Sequence, residues 1–160
     1  MKKIIDKIIQ IMITVIMAIM VIAVCWQVFT RFVLLNPSTV TEEALRYLLV
    51  WTTMVGGAYA YGNRKHLSIN IISKKLSKKA GLVLDCVIQG IVIIFSILVM
   101  IMGGMTLSET ADGMISAAMG ISMQYVYFAL IVGGILFIFY SCLFIKEDIQ
   151  KIIDVKEEKK

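Results

Sequence analysis

The chain has 160 residues, of which 59% are apolar and 17% are charged. A water-soluble domain of this length cannot bury so much apolar surface, so the composition excludes an ordinary soluble globular protein. The formal net charge is +5, and the lysine and arginine residues lie mostly in segments that flank the apolar runs. Nucleic-acid binding is therefore not needed to explain the excess of basic residues.

Four long uncharged runs divide the chain, and a helix needs roughly 20 such residues to cross the hydrocarbon core of a bilayer. The first run is apolar on every face instead of alternating apolar and polar residues, which favours helices over the strands of a membrane barrel. We predict an all-α, polytopic membrane protein, a single four-span domain over residues 1–160. The predicted spans are about residues 8–30, 44–63, 82–108 and 125–145.

The first run follows Lys2, Lys3 and Lys7, and a basic start before an apolar stretch also describes a secretory signal. This run is longer than a typical signal core, and no small-x-small cleavage site follows it. We expect it to be retained as the first span.

Between the first two spans, residues 36–38 read as a turn, and Thr39 with Glu42 has the spacing of a capping box for the second helix. Arg46 stands four residues after Glu42 and three after Glu43, so either carboxylate can pair with it along one helix face. Two readings stay open here, an exposed intrahelical ion pair and a contact with another subunit.

After the second span, residues 69–80 place apolar side chains at helical spacing with lysines mostly on the other side. This pattern predicts a short amphipathic helix that lies on the anionic cytoplasmic leaflet. Its lipid-surface basic residues are Lys74, Lys75, Lys78 and Lys79.

Asp85 is the one carboxylate within a predicted span, and it falls in the first turn of span three. A helix N-terminus favours an anion, so a capping role is one reading. The alternative is an ion-coupling site, because a charge kept in hydrocarbon usually serves transport. That alternative would make the chain an autonomous small membrane transporter that uses Asp85.

The fourth run covers residues 113–145, which is too long for one straight span at about 1.5 Å per residue. Small and polar residues at its start predict a break at residues 112–124, either an extramembrane helical tail or a re-entrant turn. Small residues in the last three spans predict close helix packing. They are Gly56, Gly57, Ala58, Ala60, Gly62, Gly103, Gly104, Gly133 and Gly134.

Fourteen of the sixteen lysine and arginine residues fall on one side of the membrane when the four spans alternate, and only Arg31 and Arg46 fall on the other. The positive-inside rule therefore predicts that both termini are cytoplasmic and that residues 31–46 face outward. The chain shows no enzyme signature: Cys25, Cys86 and Cys142 are isolated from one another, and no nucleophile, metal or cofactor motif is present. We expect neither catalysis nor a cofactor.

Nearly the whole chain resembles the small membrane subunit of TRAP (tripartite ATP-independent periplasmic) transporters, the DctQ type. The segments that carry the resemblance are residues 29–32, the turn at Asn36, residues 41–51, residues 56–58 and residues 69–71. The most specific part is Glu42 and Glu43 followed by Arg46, Tyr47 and Trp51.

This resemblance implies an accessory or scaffold role in a sodium-coupled, binding-protein-dependent transporter that imports an organic acid of the dicarboxylate or sialic acid type. It implies two protein partners, a large multi-span subunit and a periplasmic substrate-binding protein, and a place among the lipids of the bacterial inner membrane. The expected subunit or partner contacts at the outer end are Arg31, Glu42, Glu43, Arg46 and Trp51.

Overall fold

A computed structural model describes residues 2–63 and 78–157, and within these residues the chain is helical apart from its turns, one loop and a single β-bridge. The all-α expectation is therefore confirmed for the described part of the chain. In chain order the elements are α1 (Lys2–Phe32), α2 (Thr39–Gly62), α3 (Lys78–Phe95), a π-helical segment (Ser96–Met102), α4 (Gly103–Thr110) and α5 (Gln124–Glu157).

Three helical stretches of the described chain are long and apolar enough to cross a membrane: Lys2–Phe32, Gly81–Thr110 and Gln124–Lys151. The second of these joins α3, the π-helical segment and α4 in one continuous helix. At 24 residues α2 is long enough as well, but threonines, tyrosines and glycines make it less apolar than the other three.

The long α5 is the centre of the bundle, because α2 packs on it and the helix formed by α3, the π-helical segment and α4 also packs on it. The first helix packs mainly against α2 and leaves most of its apolar surface open. The buried core lies where the helices meet and consists of Ile9, Val55, Tyr61, Tyr140 and Phe144.

Close approach of the helices depends on four of the glycines that the sequence singled out. A methyl group on Gly104 would lie 2.9 Å from Ile131 Cγ1, and one on Gly134 would lie 2.9 Å from Met100 Cβ. A methyl group on Gly62 would lie even closer to the Tyr140 ring, and one on Gly133 would lie 3.2 Å from both Met54 Cβ and Met100 Cε. The prediction of close packing is confirmed at these positions, whereas Gly103 has no heavy atom within 4 Å of such a methyl group.

The start of α2 corrects one sequence expectation, because Ser38 and not Thr39 is the N-cap. Ser38 has an extended backbone (φ −81°, ψ 100°), and its Oγ accepts a hydrogen bond from the Thr41 backbone N–H at 3.4 Å. The turn after Asn36 and Pro37 brings Ser38 into that conformation one residue earlier than the capping-box spacing predicts.

The predicted break in the fourth apolar run is present, but residues 111–123 form a non-helical loop where a helical tail was one of two expectations. Ile115 and Ser122 form an antiparallel β-bridge, and Gly113 (φ +77°) and Gly120 (φ +68°) adopt backbone angles that only glycine takes readily. The final helix then continues to Glu157, well past the predicted span end at residue 145.

Two further expectations concern the predicted amphipathic helix and the position of Asp85. Residues 69–77 of the predicted amphipathic helix, with Lys74 and Lys75, lie outside the described residues, and Lys78 and Lys79 are the first two residues of α3. Because α3 already begins at Lys78, Asp85 lies about two turns into the helix and not in its first turn.

Candidate functional site

One stripe of α2 holds the 111–123 loop in place through side chains four residues apart, Glu43, Tyr47 and Trp51. Oε2 of Glu43 accepts hydrogen bonds from the backbone N–H groups of Ala118 (2.8 Å) and Met119 (3.1 Å). Its other oxygen, Oε1, accepts the hydroxyl proton of Tyr47 at 2.5 Å. Both carboxylate oxygens are therefore used inside the chain.

The Ser116 hydroxyl also donates to Glu43, and it makes the largest contribution to the carboxylate's acidity. Together with the Tyr47 hydroxyl and the two backbone N–H groups, it lowers the pKa of Glu43 from 4.5 to about 2. Partial burial opposes this shift but does not outweigh the donors. Glu43 is thus a carboxylate anion throughout the physiological pH range.

The other two residues of the stripe hold the end of the loop and the start of α5. The Tyr47 hydroxyl also contacts Met123 Sδ at 3.2 Å, and the Trp51 indole N–H donates to the Tyr125 carbonyl at 3.1 Å. In the sequence these partners stand more than seventy residues apart. The stripe therefore ties α2 to the segment that opens the last helix.

A neighbouring stripe of α2 faces outward and carries the ion pair that the sequence allowed. Arg46 Nη2 lies 3.2 Å from Glu42 Oε1, and the two side chains are 69% and 56% exposed. An exposed pair of this kind stabilises a helix by only about 0.3–0.5 kcal/mol. Arg46 pairs with Glu42 and not with Glu43, whose carboxylate is turned toward the loop.

Arg31, the remaining residue of the predicted contact set, lies at the end of α1 with its guanidinium 5.9 Å from the centre of the Phe32 ring. Arg31, Glu42 and Arg46 are exposed, whereas Glu43 and Trp51 contact the chain's own loop and α5. The five residues thus divide into an exposed group and an internally bonded group at one end of the bundle.

A buried polar cluster that the sequence did not predict joins α2, α3 and α5. The Tyr61 hydroxyl donates to Gln89 Oε1 and lies 2.9 Å from Ser141 Oγ, and all three residues are buried. The only available sequence signal was a polar residue inside each apolar run, which does not reveal partners. These bonds connect three helices and leave the polar groups engaged within the chain.

The end of the bundle that carries the chain termini has its own polar contacts. The Tyr140 hydroxyl donates to Asp6 Oδ1 at 2.6 Å, and the Lys2 ammonium lies 5.0 Å from the centre of the Phe144 ring. Asp148 is buried and pairs with Lys151 at 3.5 Å. Within residues 2–63 and 78–157, no three His, Cys, Asp or Glu side chains come together in a way that could hold a metal ion.

Its long apolar helices, each able to cross a bilayer, define this chain as an integral membrane protein. Residues 20–151 match the family of Tripartite ATP-independent periplasmic transporters, DctQ component. The chain therefore belongs to the DctQ family and is a small permease subunit of a TRAP transporter, as its sequence resemblance predicted.

Two relatives illustrate this membership. The chain is 32% identical over 139 residues to the sialic acid TRAP transporter small permease protein SiaQ of Vibrio cholerae, an alignment that covers 87% of this chain and 80% of the relative. It is 26% identical over 132 residues to a putative TRAP transporter small permease protein of Haemophilus influenzae, covering 82% of this chain and 81% of the relative.

Proposed function

We propose that this subunit is the scaffold of a sodium-coupled, binding-protein-dependent transporter in the bacterial inner membrane, and that it binds neither the sodium ion nor the transported acid. In this proposal four helices cross the bilayer, with α2 as the second span, and both termini are cytoplasmic. The basic residues at the start of α1, between α2 and α3, and at the end of α5 then face the cytoplasm.

The observation that carries the proposal is the open apolar surface of α1. Only 6% of its most apolar stretch is buried inside the chain, and large side chains such as Ile8, Val15 and Ile22 are exposed. A helix that its own chain covers so little offers surface to lipid and to another membrane protein. The proposed occupant of part of that surface is the large multi-span subunit.

The hydrogen bonds of the polar side chains also support a scaffold role for this subunit. Glu43, Tyr61 and Gln89 are engaged by partners within the chain, and their hydrogen bonds join helices and the 111–123 loop. A transported carboxylate or a sodium ion would need polar groups that converge on one point and are not already bonded within the chain. Glu43, Tyr61 and Gln89 do not provide such a set. Sodium and substrate binding are accordingly assigned to the large subunit.

The proposed substrate is an organic acid delivered by a periplasmic substrate-binding protein. Sialic acid is the favoured candidate because the Vibrio cholerae relative is named for it, and a dicarboxylate is the second. Sialic acid and a C4 dicarboxylate should therefore be compared as labelled substrates, and as competitors of each other, in cells that express the complete system. Uptake of neither labelled acid would contradict the proposed substrate class.

We further propose that the end carrying Arg31, Glu42, Glu43, Arg46 and Trp51 faces outward and contributes to the contact with the large subunit or the binding protein. Arg31→Glu and Arg46→Glu reverse exposed charges whose loss costs little folding stability. Both variants should lower co-purification with an affinity-tagged large subunit, or lower uptake in cells. Unchanged complex yield together with unchanged uptake would leave Glu42 and Arg46 as a plain surface pair.

A further inference from the structure

The 111–123 loop is closed on itself by its own backbone. The Ser116 N–H donates to the Ile121 carbonyl at 2.8 Å, the Met123 N–H donates to the Met114 carbonyl at 3.0 Å, and the Gly120 N–H donates to the Ser116 carbonyl at 3.1 Å. These bonds define the shape of the loop. They do not fix its position relative to α2.

The base of the loop is held near the helices by separate contacts. Gln124 Nε2 donates to Asp112 Oδ1 at 3.0 Å, and Trp51 bonds to Tyr125 at the start of α5. Both contacts lie where the loop meets α4 and α5, far along the loop from residues 116–119. The tip of the loop needs another attachment.

Glu43 supplies that attachment, because its carboxylate accepts hydrogen bonds from three groups of the tip: the Ala118 and Met119 N–H groups and the Ser116 hydroxyl. Hydrogen bonds to an ionised acceptor are about twice as strong as those between neutral groups. One carboxylate can accept hydrogen bonds from two successive backbone N–H groups and a hydroxyl only when these groups are held in a specific position relative to it.

We propose that Glu43 is a positioning residue: it holds the tip of the 111–123 loop against α2, and the assembled transporter requires the loop in that position for uptake. The requirement in transport rests on the proposed function, whereas the attachment of the loop does not. The position of the tip also sets where the exposed side chains of Met114, Ile115 and Met119 lie. Glu43 itself need not touch a partner.

Hydrogen exchange of the full-length chain in lipid nanodiscs tests the attachment. Glu43→Gln should speed exchange of the Ala118 and Met119 amides about tenfold or more, because it replaces the charged carboxylate to which these N–H groups donate by a neutral amide. Exchange of the α2 amides that follow Tyr47 in the sequence should not change. Glu109→Gln is the matched control, since Glu109 is an exposed carboxylate at the end of α4, and it should leave both amides as they are.

A loop-side variant keeps the test decisive if Glu43→Gln folds poorly. Ser116→Ala removes one donor to the same carboxylate and should speed exchange of the Ala118 amide. The Met119 amide is not used in this variant, because its N–H also donates to Ser116 Oγ at 3.1 Å. Combining Ser116→Ala with Glu43→Gln should add less than the sum of the separate effects, because both changes disrupt one attachment. Equal exchange in Glu43→Gln and Glu109→Gln would overturn the attachment.

Uptake by cells expressing the complete transporter tests the second half. Glu43→Gln and Ser116→Ala should both lower uptake while the two membrane subunits still co-purify, and Glu109→Gln should not. Reduced uptake with unchanged amide exchange would show that Glu43 contacts a partner directly, which overturns the positioning role. Faster exchange with normal uptake would overturn the requirement in transport. Failure of the wild-type chain to co-purify with the large subunit would instead refute the proposed function.

Discussion

Replacing Gly62 by alanine should destabilise the helix bundle, because the new methyl group would clash with a closely packed aromatic ring. The added Cβ would lie within 2.6 Å of three ring carbons of Tyr140, where about 3.5–4.0 Å is a normal carbon contact. Tyr140 is fully buried, and its hydroxyl is held by Asp6 at 2.6 Å. The ring must shift by about 1 Å to restore normal contact.

The expected cost combines two effects. Overpacking a close-fitting core costs about 1–3 kcal/mol, and weakening the hydrogen bond to Asp6 adds about 1 kcal/mol or more. Alanine recovers at most about 1 kcal/mol of helix propensity at this last residue of α2. We therefore expect Gly62→Ala to lower the free energy of unfolding by about 1–3 kcal/mol.

Reversible unfolding in mixed micelles, followed by circular dichroism, measures this loss. Gly90→Ala is the control, because a methyl group there has no heavy atom within 4 Å, and it should be neutral or slightly stabilising. In a Tyr140→Ala background, Gly62→Ala should lose most of its penalty. Equal stability of Gly62→Ala and wild type, or an undiminished penalty without the ring, would refute the packing argument.

Three more perturbations test other contacts. Tyr61→Phe should cost about 1–3 kcal/mol of unfolding free energy in the same assay because it leaves Gln89 without its donor, whereas the exposed Tyr125→Phe should be neutral. Trp51→Phe should cost about 1 kcal/mol, and a loss no larger than that of Tyr125→Phe would count against the bond from Trp51 to the start of α5. The stability difference between wild type and Glu43→Gln should stay constant above pH 5 and shrink as the pH falls from 4.5 toward 2; a difference independent of pH would contradict the lowered pKa of Glu43.

The helical class and the break before the last helix could be predicted because they depend on local sequence. Long apolar runs require helices in lipid, and the small and polar residues at 112–124 indicate where the last run is interrupted. The form of that break could not be predicted. The β-bridge between Ile115 and Ser122 depends on backbone pairing across a turn, for which the sequence offers only Gly113 and Gly120 as hints.

The sequence singled out Glu43 and Trp51 as candidate partner contacts, which stays a prediction, but it did not indicate their contacts within the chain. Glu43, Tyr47 and Trp51 share one stripe of α2, a spacing that is visible in the sequence, yet their partners lie in the 111–123 loop and at the start of α5. Local spacing allowed Arg46 to pair with either glutamate. Only the position of the distant loop decides that Glu43 turns away and leaves Glu42 to form the pair.

The polar cluster of Tyr61, Gln89 and Ser141 was missed for a related reason. Each residue lies in a different helix, and a single polar side chain in an apolar run is compatible with a span end, a lipid-facing position or a buried hydrogen bond. Helix rotation decides among these alternatives, and it depends on the glycine contacts between α5 and its neighbours.

Transport by purified protein in proteoliposomes tests most directly whether this chain is a scaffold. With an inward sodium gradient and labelled sialic acid, vesicles that contain this chain alone should show no uptake above empty vesicles. Uptake should appear when the large subunit is added to the bilayer and the binding protein to the outside. Sodium-driven uptake by this chain alone, abolished by Asp85→Asn with the fold intact, would contradict the scaffold role and establish an autonomous transporter.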